Sequence, residues 1–181
     1  YTLSLHDCLP IFFGFSSGPK VPPGTYTVRI TADGTTLTQP LHVIMDPRCT
    51  CTTAVLDDQY HLAQSIYAQS LDARRAMAEL DSVTGQLKKL DTPDAPASLR
   101  DALHTALASL NKIRKGENPA DESHPGLASA SSGLGTALRI VESGDRPAPA
   151  VAREIFHQSR QAAQTNIDAW QHFKSADRTQ L

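Results

Sequence analysis

A chain of 181 residues, 40% hydrophobic and 20% charged, has enough apolar material for one core, or for a small module joined to a helical bundle. Its formal charge of −2 lacks the basic footprint that nucleic-acid binding needs. No stretch reaches the roughly 18 apolar residues of a membrane-spanning helix, so neither nucleic acid nor a membrane span is expected.

The chain begins Tyr-Thr-Leu-Ser-Leu-His-Asp-Cys-Leu-Pro-Ile. These residues, 1–11, resemble the conceptual translation of a common sequencing-library adapter, from which only Cys8 departs. Residues 1–17 are therefore expected to be an assembly artefact followed by linker, and are set aside for fold reasoning. With Cys8 excluded, Cys49 and Cys51 remain. Closing a disulfide across one intervening residue strains the backbone between them, and a lone Cys-x-Cys is a weak metal signal. Two loop thiols are expected.

Residues 18–48 read as β structure. A Pro/Gly-rich approach, Gly18-Pro19-Lys20-Val21-Pro22-Pro23-Gly24, leads into Thr25–Thr31. There Tyr26, Val28 and Ile30 alternate with Thr and Arg, which predicts one buried and one wet face. Asp33-Gly34 is a hairpin signal, because both central residues of a type I′ turn need positive φ. The return strand is expected over Thr36–Met45, with Leu37, Leu41, Val43 and Met45 on one side and Pro40 marking an edge or a bulge. His42 reads as an edge residue. A lone hairpin is marginal in water. This one is expected to be the remnant of a β-sandwich, its last two strands, with the earlier strands lost.

Residues 52–177 read as helical. Leu62, Ile66, Gln69, Ala73, Ala76, Leu80, Val83, Leu87 and Leu90 step by four and three and predict one long helix, with Thr52 or Thr53 able to cap it. Asp91-Thr92-Pro93 ends it. A second helix is expected after Pro96, with Ser98 able to cap it. Leu99, Leu103, Ala106, Leu110 and Ile113 form its stripe, and Gly116 ends it. A third, on Leu127, Leu134, Leu138 and Val141, contains Ser131, Ser132, Gly133 and Gly135, small enough to admit a close neighbour. A fourth runs from about Ala150 to Ser175 with Trp170 as anchor. A sustained heptad also suits a self-associating coiled coil, but three further amphipathic helices in the same chain favour internal burial. The expected class is α+β: a β-hairpin followed by an antiparallel helical bundle of three to four helices, the first long.

The residues offer no catalytic constellation. Asp57 and His61 can share one helical face, but no second ligand pair recurs. His104, His157 and His172 lack companions at diagnostic spacing. There is no Gly-rich phosphate loop and no nucleophile elbow. Catalytic, cofactor and metal residues are all expected to be none. Lys112, Arg114 and Lys115 read as a solvated helix end.

The run Gly18-Pro19-Lys20-Val21-Pro22-Pro23-Gly24-Thr25-Tyr26-Thr27-Val28-Arg29-Ile30, then Asp33-Gly34, then Thr38-Gln39-Pro40-Leu41 and Met45-Asp46-Pro47-Arg48, resembles the C-terminal part of large bacterial proteins with sortilin-like β-propellers, often labelled glycosyl hydrolases with BNR (Asp-box) repeats. In that family a similar strand pair and Met-Asp-Pro-Arg exit lead into a helical tail. The resemblance implies a structural or interaction module whose partner is an N-terminal propeller of the same protein. It also implies a periplasmic or extracellular location. The alternative it implies is a segment supporting a glycoside hydrolase whose catalytic propeller lies outside this chain. No Asp-box is present here, so no catalytic residue carries over.

Overall fold

The computed structural model describes residues 18–117 and 124–176. The adapter-like start and most of the 117–125 loop lie outside the described residues. In order, the described chain forms β1 (Gly24–Ala32), β2 (Thr35–Val43), α1 (Thr53–Leu90), α2 (Ala97–Lys115), α3 (Leu127–Val141) and α4 (Ala150–Ala176). The architecture is the α+β arrangement that the patterning predicts, a hairpin followed by helices of which the first is long.

β1 and β2 pair antiparallel from Gly24↔Val43 to Ala32↔Thr35. Asp33 (φ 48°) and Gly34 (φ 76°) both take the left-handed conformation that a two-residue turn of this hand requires. Counted outward from the turn, hydrogen-bonded and non-hydrogen-bonded pairs alternate. Thr27↔Pro40 then falls on a pair without ladder bonds, so the missing N–H of Pro40 costs nothing there. Two other such pairs bring side chains together. Thr31 Oγ1 lies 2.9 Å from Thr36 Oγ1, and Thr25 Oγ1 lies 3.0 Å from His42 Nδ1.

α1 is the spine. Its 38 residues span about 57 Å at the ordinary helical rise. Contacts along it define the directions of the other helices. His104 Nε2 lies 3.1 Å from Asp91 Oδ2, and Arg114 Nε donates to Asp81 Oδ1 at 2.7 Å, so α2 runs back along the C-terminal part of α1. Gln59 Nε2 donates to Val141 O, so α3 ends beside the start of α1 and runs back along its N-terminal part. α2 and α3 therefore follow one another in the same direction. α4 returns antiparallel to α3 and parallel to α1: Arg153 pairs with Asp58, and Lys174 with Glu79. The result is a bundle of three mutually packed columns, one of which is made of two helices.

Where that column is interrupted, the chain pinches. Gly116 (φ 89°) forms an isolated antiparallel bridge with Pro125, and a Cβ at Gly126 would overlap the backbone of Lys115 and Gly116. Glycine is required because two main-chain segments meet there. The small residues of α3 act as predicted: a Cβ at Gly133 would overlap Ser159 Oγ on α4, so the two helices are in close contact at that point.

The core contains Ile66, Leu80, Leu110, Leu127, Leu134, Val141 and Trp170, the last 1% exposed. In the first half of α1 the predicted stripe residues Ile66 and Ala73 are buried as expected, but at two other stripe positions burial moves on by one residue. Ala63 and Ser70 are buried, whereas Leu62 and Gln69 are only half-buried. The reason is that α1 faces two columns, which widens its buried arc beyond a heptad seam. Ser70 satisfies its hydroxyl by donating to Ile66 O at 2.8 Å. Leu90 and Leu99, expected in the stripes, are exposed at the end where α1 and α2 join. Thr52 occupies the cap position of α1 without a side-chain bond. α2 starts directly after Pro96, which leaves Ser98 inside its first turn.

Candidate interaction surface

The hairpin has one feature that alternation alone did not predict. Because directly paired residues project to the same side of a sheet, Tyr26, Val28 and Ile30 share a face with Leu41, Gln39 and Leu37. That face was expected to be buried. Instead Val28 is 41% exposed, Ile30 64%, Leu37 69% and Leu41 48%. Only Tyr26 and Val43 are half-buried, and Tyr26 donates its hydroxyl to Pro22 O at 2.7 Å. Alternation records which side of a strand is apolar; burial needs a second layer, and among the described residues none lies over this face. Covering an Ile or Leu side chain is worth about 1.5–3 kcal/mol, so the uncovered face is a substantial source of binding free energy.

The approach to β1 and the connector after β2 join the hairpin to the end of the bundle where α1 and α4 begin and α3 ends, while neither strand lies alongside a helix. The turn after α3, Glu142 to Asp145, receives hydrogen bonds from two separate parts of the chain and is touched by a third. Lys20 donates its backbone N–H to Glu142 Oε1 at 2.8 Å and its Nζ to Glu142 O at 2.9 Å. Gln59 Nε2 donates to Gly144 O at 2.7 Å. Cys51 Sγ lies 3.1 Å from Asp145 O. A cleft of about 220 Å³ follows this seam, lined in part by Val43, Leu56, Tyr60 and Glu142.

The cysteines correct an expectation. Cys49 and Cys51 are joined as a disulfide with Cα atoms 5.6 Å apart, well inside the usual range for a bridge. A tight turn leads into the bridge: Cys49 N donates to Asp46 O at 2.9 Å, and Arg48 pairs with Asp46 at 2.7 Å. Those bonds fold the connector back on itself. The Arg48 guanidinium, then its backbone N–H, hold the Asp46 carboxyl below its usual range.

The other residues singled out in the sequence do not converge. Asp57 and His61 are both exposed. His42 is at the hairpin edge beside Thr25. His104 sits beside Asp91, while His157 and His172 are exposed on α4. Arg114 is engaged by Asp81, whose carboxyl is held below its usual range chiefly by that bond, and Lys112 pairs with Glu117. Trp170 is the core anchor that the sequence suggested, but it brings a partner that no spacing announced. Its indole N–H donates to Glu79 Oε2 at 3.0 Å, and Lys174 Nζ donates to the same oxygen at 2.7 Å. Lys174 first and Trp170 second lower the Glu79 carboxyl from its ordinary value. A groove of about 1130 Å³ separates α2 from α4, with Ile113, Asn166 and Phe173 among its lining residues. Among the described residues no three His, Cys, Asp or Glu side chains gather where they could share a metal ion, and no helix is long and apolar enough to cross a membrane. The uncovered hairpin face is thus the most distinctive surface of the molecule. Comparisons with protein-family models, with characterised proteins and with solved structures found no match for this chain.

Proposed function

We propose that residues 18–176 are a structural and interaction module of a larger exported protein of the sortilin-like propeller type. In this reading the hairpin supplies two strands of a β module whose remaining strands come from an N-terminal part of the same parent. The bundle is the rigid body on which that module is seated. The observation that supports it is the uncovered apolar face of Val28, Ile30, Leu37 and Leu41 on a sheet of two strands, which is too small to be stable on its own account. The order of strand pair, Met45-Asp46-Pro47-Arg48 exit and helices is also that of the family the sequence resembles. The parent's export is carried by that resemblance alone.

The test is to read the in-frame sequence upstream of Gly18 from an independent assembly and to express the chain with and without it. Amide exchange at Val28–Ile30 and Leu37–Leu41 should slow by about tenfold or more in the extended protein, since covered strands open less often. Equal exchange in both, with the upstream part folded, overturns the reading, as does efficient glycoside turnover by residues 18–181 alone.

A further inference from the structure

We propose that Cys49 and Cys51 form a redox-active pair, a site of thiol–disulfide exchange with small thiols such as glutathione. Three observations meet there. The bridge spans only two positions in sequence. It therefore cross-links almost no chain, and the loop-closure stabilisation that protects structural disulfides is minimal. Both cysteines are half-buried rather than sealed in the core, so a small thiol can reach them. The pair also immediately precedes Thr52, the cap residue of the 38-residue α1, and the positive end of a helix favours a thiolate.

The geometry distinguishes the two sulfurs. Cys51 N donates to Cys49 Sγ at 3.4 Å, which stabilises negative charge on Cys49. Asp145 O stands 3.1 Å from Cys51 Sγ and farther, at 3.8 Å, from Cys49 Sγ, so it repels a thiolate at Cys51 more strongly and is better placed to accept from a Cys51 thiol. Cys49 is thus the better leaving group and Cys51 the sulfur attacked. An incoming thiolate bonds to Cys51 Sγ as the Cys49–Cys51 bond breaks, and the electron pair leaves on Cys49 Sγ. A second thiolate then attacks the small-molecule sulfur of this mixed disulfide and releases a low-molecular-weight disulfide. The two protons that the small thiols release to water on ionising return to Cys49 and Cys51, and the Cys51 thiol can donate its own to Asp145 O. In sum, two small thiols are oxidised to one disulfide, and the protein pair gains two electrons and two protons.

The test uses the full chain carrying Cys8→Ser, so that no third thiol exchanges. The protein is equilibrated under native conditions in buffers of graded reduced-to-oxidised glutathione, quenched in acid, alkylated and weighed. The expected result is a reversible transition, within the range that glutathione buffers, from a protein that takes up no alkyl group to one that takes up two, with the helical circular dichroism retained. In addition, Cys51→Ser treated with oxidised glutathione should gain one glutathione on Cys49 faster than Cys49→Ser gains one on Cys51, because the better stabilised thiolate is the more abundant nucleophile. A pair that stays oxidised in fully reduced glutathione overturns the proposal. So do two thiols that stay free in fully oxidised glutathione.

Discussion

At the scale of single residues, Glu79 shows how a surface carboxylate can support a core. Its oxygen accepts from both Trp170 Nε1 and Lys174 Nζ, and Lys174 also sits 5.0 Å from the centre of the Trp170 ring. The indole is therefore buried with its one polar atom satisfied. The Glu79 carboxyl is depressed, so the native state holds it ionised more strongly than the unfolded chain does. The stability this adds is complete above the unfolded value, about pH 4.3, and is lost as pH falls through the lower native value. Replacing Glu79 with Gln should flatten the acid limb of a stability-versus-pH curve while lowering stability at neutral pH by about 1 kcal/mol or less, as befits an exposed ion pair. Urea titrations at several pH values measure both effects. Trp170→Ala should cost about 3–5 kcal/mol, seen as a lower urea midpoint. Trp170 was readable from composition and spacing. Glu79 was not, because a contact between residues 91 positions apart leaves no trace in local pattern.

At the scale of elements, helix existence followed from periodicity, and helix pairing did not. The four helices appear close to where stripes, Pro93, Pro96, Gly116 and Pro149 place them. Periodicity carries no information on direction in space, so the succession of α2 and α3 along one side of α1 was not readable. What permits that succession is the pinch of Gly116 against Gly126. Gly126→Ala should destabilise by about 1–3 kcal/mol, since the added methyl meets backbone that cannot swing aside. Gly133→Ala should also destabilise, but its methyl meets the Ser159 hydroxyl, and Ser159→Ala should restore part of the loss. A double-mutant cycle by thermal unfolding reads this coupling; strict additivity would show that Gly133 and Ser159 do not share the space. The one-residue displacement of the buried stripe at Ala63 and Ser70 has the same origin: the number of neighbouring columns decides which arc of α1 is covered.

At the scale of the whole molecule, the apolar and polar halves of the chain are divided unequally. The bundle encloses its own core, with Ile66, Leu80 and Leu134 fully buried. The hairpin exposes Ile30 and Leu37, paired across the strands. Alternation predicted that this side is apolar, and the two-strand sheet leaves it open. Replacing Ile30 and Leu37 together with Lys should reduce binding of an apolar dye by residues 18–181 and leave the unfolding midpoint of the helices nearly unchanged. In an extended protein of the kind proposed, the same pair should destabilise by several kcal/mol, since two charges would then be forced beneath a second layer.

The turn from Glu142 to Asp145 has a consequence for tolerance to change in length. Lys20, Cys51 and Gln59 all reach it, so its backbone is registered at once against the approach to β1, the connector and the first turns of α1. Loops ordinarily absorb insertions because nothing measures them. Two residues added between Glu142 and Asp145 should shift these partners out of reach together, loosening the seat of the hairpin while α1 and α2 stay folded. The same addition between Thr92 and Asp94, where the chain is exposed, should pass almost unnoticed. Natural length variation in such a chain is then expected to collect at the far end of the spine and to avoid the end that holds the hairpin.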